Sequence, residues 1–122
     1  MGKTLSILIV DDSELDANLL LRTLRAADYE VTYEIVQTED AMRAALERQN
    51  WNLITTDQRM PSFDALSALT LAKQLKPSVP VVIISDETDI NSAVSLIKAG
   101  ARDFVQKHEL KRLVPLVSEI CA

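Results

Sequence analysis

The sequence contains little of what several classes of protein depend on. Its 122 residues include one Cys and one His, and aromatic residues make up only 4%. Cys121 has no intramolecular disulfide partner, and no second Cys or His lies at metal-ligand spacing from it. No apolar stretch approaches the roughly 20 residues of a membrane span, and the N-terminal MGKTLS lacks the apolar core of a signal peptide. We therefore expect a cytoplasmic protein without a membrane span.

Basic charge is scarce as well. The 13 Lys and Arg residues are outnumbered by 18 Asp and Glu residues, which leaves a net charge of -5 and no basic run. We therefore expect no direct binding to nucleic acid, and partners that are proteins or small ligands. Hydrophobic residues make up 48% of the chain, enough for one core, and the length fits a single domain over residues 1–122.

Apolar runs alternate with helical patterns along the chain. The predicted strands are Leu5–Val10, Glu30–Val36, Leu53–Thr56 ending on Asp57, Val79–Ile84 ending at Ser85, and Arg102–Gln106. The alternating run Glu30–Val36 predicts a half-exposed edge strand. Five strands that alternate with five helices at short spacing predict an α/β fold, with a doubly wound parallel sheet and helices on both of its faces.

Helical spacing predicts which helix faces are buried. In the first helix, the apolar residues that recur at three- and four-residue steps are Leu15, Leu19, Leu20, Leu24 and Ala27. The same spacing predicts buried positions in the third and fourth helices, among them Leu66, Val94 and Ile97. Each helix therefore has one apolar face with which it can pack against the sheet.

The helix ends have their own markers. Ser13 followed by Asp16 resembles a capping box, and Thr38 is predicted to begin the second helix. Gly100 lies where a left-handed cap is expected at the end of the fourth helix. Because Pro115 has no backbone N–H to donate, the last helix is either kinked or begins near this residue.

Two of the predicted strands end in carboxylates. Asp57 ends the buried run within NLITTDQRMP, and Asp11 and Asp12 follow the run Ile7–Val10. If these strands are parallel neighbours, three carboxylates converge and repel one another unless a cation or a proton intervenes. The sequence therefore predicts a site for a hard metal ion. The polar residues predicted at carboxyl ends of strands, where such sheets bind ligands, are Asp11, Asp12, Asp57, Ser85 and Lys107.

Taken together, these motifs resemble the receiver domain of two-component response regulators, which has the fold of the bacterial chemotaxis regulator. The resemblance runs from about Lys3 to Glu119. It rests on the acidic pair after the first strand, Asp-x-x-Met-Pro after the third, Ser85 after the fourth, and Gly-Ala-x-Asp-Phe-x-x-Lys ending at Lys107. It implies a flavodoxin-like strand order, 2-1-3-4-5.

The resemblance also implies a phosphoacceptor function. Asp57 would take a phosphoryl group from a phosphohistidine on a sensor histidine kinase or a histidine phosphotransfer protein, forming an acyl phosphate. The implied ligands of a Mg²⁺ ion are Asp11, Asp12, Asp57 and the backbone carbonyl of Arg59. Lys107 and Ser85 would contact phosphoryl oxygens. Such a domain promotes only its own phosphorylation and dephosphorylation, so we do not expect an enzyme.

Ser85 and Phe104 would form a switch. On phosphorylation they would change the affinity of a surface for an unknown downstream protein or output domain. Phe104 stands where the family usually has Tyr, which removes a hydroxyl group from the switch. His108 stands where the family usually has Pro, and we expect a trans peptide bond before it because a non-proline cis bond costs about 3 kcal/mol.

Three further residues would modulate the chemistry. Asp86 stands where the family usually has Ala or Gly, and it either repels the phosphoryl group or accepts amide hydrogens at the start of the fourth helix. Arg59 and Glu87 flank the acyl phosphate in this family. They either pair with each other across the site or are exposed and independent, since surface pairs contribute only about 0–1 kcal/mol.

Three functions are compatible with these residues. The first is a phosphorylation-controlled signalling module. The second is a degenerate receiver that acts as a phosphorylation-independent protein interaction module, which Asp86 and His108 make conceivable. The third is a Mg²⁺-dependent phosphohydrolase acting on free substrates. The complete set Asp11, Asp12, Asp57, Ser85 and Lys107 favours the first.

Overall fold

The computed structural model describes residues 3–58, 60, 63–85 and 90–120. The strands are β1 Lys3–Val10, β2 Tyr29–Val36, β3 Leu53–Asp57, β4 Val81–Ser85 and β5 Asp103–Gln106. The helices are α1 Glu14–Ala26, α2 Glu39–Arg48, α3 Ala65–Leu75, α4 Ile90–Lys98 and α5 Leu113–Ile120, with a 3₁₀ helix at Lys107–Arg112. None of the helices within the described ranges is long and apolar enough to cross a membrane.

All strand pairs are parallel, and the order is β2-β1-β3-β4-β5. The predicted fold class and strand order are therefore confirmed. The register aligns the carboxyl ends: Val10 lies opposite Thr56, and Asp57 lies opposite Ile84. The residues that end β1, β3 and β4 consequently meet at one edge of the sheet.

Each face of the sheet carries its own core. One core contains Leu8 and Val10 of β1 and packs against α2 and α3. The other contains Ile7 and Ile9 and packs against α1 and α5. Alternate side chains of a strand point to opposite faces, so a strand covered on both sides is apolar at every position. This is why Ile7–Val10 of β1 and Val81–Ile84 of β4 appear in the sequence as uninterrupted apolar runs, whereas β3 also buries the polar Thr55 and Thr56.

The predicted starts of α1 and α2 are confirmed, although the capping box is formed only in part, because the backbone N–H of Ser13 donates to Asp11 and not to Asp16. Ser13 Oγ accepts a hydrogen bond from the backbone N–H of Asp16 at 3.2 Å, and Thr38 Oγ1 accepts from Ala41 at 3.1 Å. Such caps typically contribute about 1 kcal/mol each. Gly100, with φ of 117°, follows α4 in the region that favours glycine.

The buried face of α1 differs in part from the prediction. Leu20 and Leu24 are buried as predicted, whereas Leu15 and Leu19 are 70% and 41% exposed. Ala17 and Leu21, which were not predicted, complete the buried face. Leu15 and Leu19 each lie two residues from Ala17, about 200° around the helix, so a face centred on Ala17 and Leu21 turns both toward solvent.

Three other residues predicted to be buried are also exposed: Leu66 at 53%, Val94 at 44% and Ile97 at 41%. They lie on α3 and α4, which the sheet covers along one stripe only. On α3 the buried residues are three alanines and two leucines, namely Ala65, Ala68, Ala72, Leu69 and Leu71. Spacing alone does not show how wide the buried stripe is.

The last helix begins near Pro115, one of the two alternatives that the sequence left open. α5 starts at Leu113, so Pro115 lies in its first turn, where a backbone N–H has no partner within the helix. The peptide bond before His108 is trans, as expected, because no cis bond occurs in the described residues.

Candidate functional site

Three carboxylates converge at the carboxyl edge of the sheet. Asp57 is the last residue of β3, and Asp11 and Asp12 directly follow the neighbouring β1. One carboxylate oxygen of each residue lies within 4.8 Å of those of the other two. Asp11 and Asp57 are buried, at 5% and 6% exposure, whereas Asp12 is exposed. The three side chains therefore form the cluster that the sequence predicts, and Asp12 is the member that is exposed to solvent.

Asp11 shows the electrostatic cost of this cluster. The pKa of Asp11 is raised from 3.8 to about 6, mainly by burial and also by the charges of Asp57 and Asp16. The backbone N–H of Ser13, which donates to Asp11 Oδ1 at 2.9 Å, and the charge of Lys107 oppose this increase. These two groups do not fully offset the increase in the pKa of Asp11 that burial causes. A cation bound among the carboxylates would supply the missing compensation.

Lys107 brings a positive charge to the cluster. It directly follows β5, and its Nζ lies 2.7 Å from Asp16 Oδ2 and 3.4 Å from Asp57 Oδ1. Burial alone would lower the pKa of Lys107. The hydrogen bond to Asp16 and the charges of Asp57 and Asp11 outweigh burial and raise this pKa to about 12. Lys107 is therefore a permanent cation at physiological pH.

Ser85 ends β4 beside the β3 carboxylate. It is 1% exposed, and its Oγ donates a hydrogen bond to Gln58 Oε1 at 2.5 Å. Gln58 is itself anchored, because its backbone N–H donates to the carbonyl of Ile84 at 2.9 Å. The Ser85 hydroxyl group is thus held at the sheet edge by the residue that follows Asp57.

Sequence reasoning missed two residues of this site, Asp16 and Gln58. Asp16 was interpreted only as part of a capping box, although its side chain contacts Lys107 from the first turn of α1. A charged residue so close in the chain to the acidic pair was the available signal. For Gln58 the signal was a polar side chain next to the candidate nucleophile.

The remaining predicted residues lie at or beyond the border of the site. Phe104, on β5, is partly buried and packs against the core that contains Leu8 and Val10 of β1. His108 is a surface residue, as predicted, with a 68% exposed side chain. Arg59, Asp86 and Glu87 lie outside the described residues.

Comparison with protein families gives a match to one family model. The model is described as the response regulator receiver domain, and it matches residues 7–118. The two-component response regulator ORR3 of Oryza sativa subsp. indica is 35% identical over 108 residues, which cover 83% of this chain and 78% of ORR3.

Other relatives are much longer than this chain. The transcriptional regulatory protein ZraR of Escherichia coli K12 is 32% identical over 106 residues, which cover 84% of this chain but 23% of ZraR. The chain thus spans about a quarter of the length of this regulator.

Among solved structures, the receiver domain of the sensor histidine kinase PA1611 from Pseudomonas aeruginosa PAO1 has the same fold. Its TM-score is 0.79 at 22% identity, with 99% of this chain and 98% of that chain covered. That structure has a magnesium ion coordinated in its active site cleft.

Proposed function

Because this chain belongs to the response regulator receiver domain family, we propose that it is a phosphoacceptor that takes a phosphoryl group onto Asp57. The donor is a phosphohistidine of a sensor histidine kinase or of a histidine phosphotransfer protein. The observation that carries this proposal is the buried Asp57 carboxylate, which has Lys107 Nζ 3.4 Å away and two further carboxylates beside it. Residues 1–122 act here as one receiver domain.

The three carboxylates fit a Mg²⁺ ion. Magnesium prefers hard, anionic oxygen ligands, and the cluster offers one oxygen from each of Asp11, Asp12 and Asp57. The backbone carbonyl of Arg59 would complete the protein ligands. When bound, the ion would offset negative charge on the transferring phosphoryl group. The raised pKa of Asp11 supports this assignment, because it indicates a buried acid whose charge is not fully compensated by Lys107 and the backbone N–H of Ser13.

The protein groups have distinct roles in the transfer. A carboxylate oxygen of Asp57 forms the new bond to phosphorus, while the P–N bond of phosphohistidine breaks and its electron pair stays on the imidazole. Lys107 donates to one phosphoryl oxygen, and the Ser85 hydroxyl group donates to another. These donors stabilise charge where it develops, so that positioning and electrostatics account for the catalysis.

The acyl phosphate then acts as a switch. Ser85 turns toward the phosphoryl group, Phe104 repacks, and the altered surface changes its affinity for a downstream protein or output domain. Arg59, Asp86 and Glu87 set how long the acyl phosphate lasts. The domain catalyses only its own phosphorylation and dephosphorylation.

Incubation with acetyl phosphate and Mg²⁺, followed by intact mass measurement, tests this proposal. The wild type should gain one phosphoryl group, and Asp57→Asn should gain none. Asp40→Asn, which removes an exposed carboxylate in the first turn of α2, is the matched control and should label as the wild type does. Labelling of Asp57→Asn would contradict the site. No labelling of the wild type would favour a degenerate receiver, and repeated hydrolysis of acetyl phosphate would favour a phosphohydrolase.

A further inference from the structure

The contact between Lys107 and Asp16 is the shortest one made by the Lys107 ammonium group in the described part of the chain. Lys107 Nζ lies 2.7 Å from Asp16 Oδ2, a hydrogen-bond distance, but 3.4 Å from Asp57 Oδ1. The side chains of Lys107 and Asp16 are 21% and 30% exposed, so that water screens their contact only in part. In the unmodified protein, Lys107 is therefore bound more closely to Asp16 than to the candidate phosphoacceptor.

Asp16 is fixed in place by the same turn that carries the acidic pair. Its backbone N–H donates to Ser13 Oγ at 3.2 Å, and the backbone N–H of Ser13 donates to Asp11 Oδ1 at 2.9 Å. These two bonds tie the first turn of α1 to the carboxylate cluster. The Asp16 carboxylate is consequently held beside the site rather than carried on a mobile segment.

We propose that Asp16 is a positioning residue that holds Lys107 in the unmodified protein and competes with the acyl phosphate of Asp57 for its ammonium group. This inference rests on the proposed phosphoacceptor function. A phosphoryl group brings close to two negative charges to Asp57. Lys107 must then turn away from Asp16 to pair with it, and the Asp16 carboxylate repels the phosphoryl group. Both effects disfavour the phosphorylated form relative to the unmodified form.

The size of the effect follows from the exposure of the pair. Partly exposed ion pairs contribute up to about 1 kcal/mol, which corresponds to about a fivefold change in an equilibrium constant. Neutralising Asp16 should therefore raise the rate of labelling and the extent of phosphorylation by about two- to fivefold. Asp16→Asn leaves the Ser13 cap intact, because that bond uses the backbone N–H of residue 16.

The test measures labelling by acetyl phosphate with saturating Mg²⁺ in variants of the 122-residue chain. Asp16→Asn should label faster than the wild type, and Asp16→Glu, which keeps the charge, should stay near the wild type. Glu14→Gln is the matched control: it removes one negative charge from an exposed residue in the same helical turn. This variant should change labelling less than Asp16→Asn does.

A second pair of variants separates competition for Lys107 from a general charge effect. In a Lys107→Met background, Asp16→Asn should lose most of its advantage, because no ammonium group is left to release. Equal gains with and without Lys107, or slower labelling of Asp16→Asn, would overturn the inference while leaving the proposed function intact. If the wild type itself does not label, the proposed function and this inference fall together.

Discussion

Replacing Asp11 with Asn should stabilise the metal-free protein above neutral pH. The substitution removes a carboxylate that is 5% exposed and lies beside Asp57. Asn keeps an oxygen that can accept the hydrogen bond from the backbone N–H of Ser13. In EDTA, Asp11 is thus predicted to reduce the stability of the fold above neutral pH, because burial and the charge of Asp57 disfavour its ionised form.

The sign and size of the effect follow from proton binding. The pKa of Asp11 is raised from 3.8 to about 6 in the folded protein. Between these two values the folded state binds more protons than the unfolded state, so the free energy of unfolding decreases as the pH rises and levels off above about pH 6. The difference between the two pKa values sets an upper limit of roughly 3 kcal/mol on the loss of unfolding free energy, at 1.36 kcal/mol for each pKa unit. We expect a gain of about 1–3 kcal/mol for Asp11→Asn at about pH 8.

The assay is thermal or urea unfolding in EDTA at several pH values. At about pH 8 the Tm of Asp11→Asn should exceed that of the wild type by several degrees, and the advantage should shrink toward about pH 5 as the wild-type carboxyl group takes up its proton. Glu47→Gln, which neutralises an exposed residue of α2, is the charge-matched control. The reasoning is refuted if Asp11→Asn is less stable than the wild type at pH 8, or if its advantage does not depend on pH.

Three further predictions concern the metal and the fold. Mg²⁺ affinity, measured by NMR titration, should fall as the pH is lowered through about 6, because protonated Asp11 no longer attracts a cation. An affinity that does not change with pH would place the metal elsewhere. Leu24→Ala should cost about 2–5 kcal/mol in urea unfolding, whereas Leu15→Ala, on the exposed side of the same helix, should cost less than about 0.5 kcal/mol. Equal losses would contradict this packing of α1. Gly100→Ala should lower the free energy of unfolding by about 1 kcal/mol or more, because the φ angle of Gly100 is 117° and the added Cβ would lie 2.9 Å from Lys73 Cε. An unchanged Tm would contradict this prediction.

The strands were predictable because the patterns that specify them are local, whereas their order was implied by the family resemblance. Ile7–Val10 of β1 and Val81–Ile84 of β4 appear as continuous apolar runs because both faces of the sheet are covered, and β3 has a shorter apolar run followed by the buried polar residues Thr55 and Thr56. Once these runs are placed in a parallel sheet, the residues that follow them must meet at one edge. The convergence of Asp11, Asp12 and Asp57 therefore follows from topology and requires no knowledge of side-chain conformations.

The buried face of α1 was predicted only in part because its spacing is ambiguous. Leu20 and Leu24 are buried as predicted, but Leu15 and Leu19 satisfy the three- and four-residue rule as well as Ala17 and Leu21 do. The choice between the two faces depends on how the helix is rotated against the sheet. That rotation depends on tertiary packing, in which a small residue such as Ala17 allows close approach although it adds little hydrophobicity.

The partners of Lys107 and Ser85 depend on contacts that no local pattern specifies. Lys107 and Asp16 are separated by 91 residues, and Ser85 and Gln58 by 27. Neither Asp16 nor Gln58 belongs to the motifs that carry the family resemblance, yet each contacts a group to which the proposed phosphoryl chemistry assigns a role. A receiver domain that shares all of those motifs but has other residues at these two positions would release its lysine and hydroxyl group at a different energetic cost. Differences in phosphorylation among such domains should therefore follow the neighbours of the motif residues as well as the motif residues themselves.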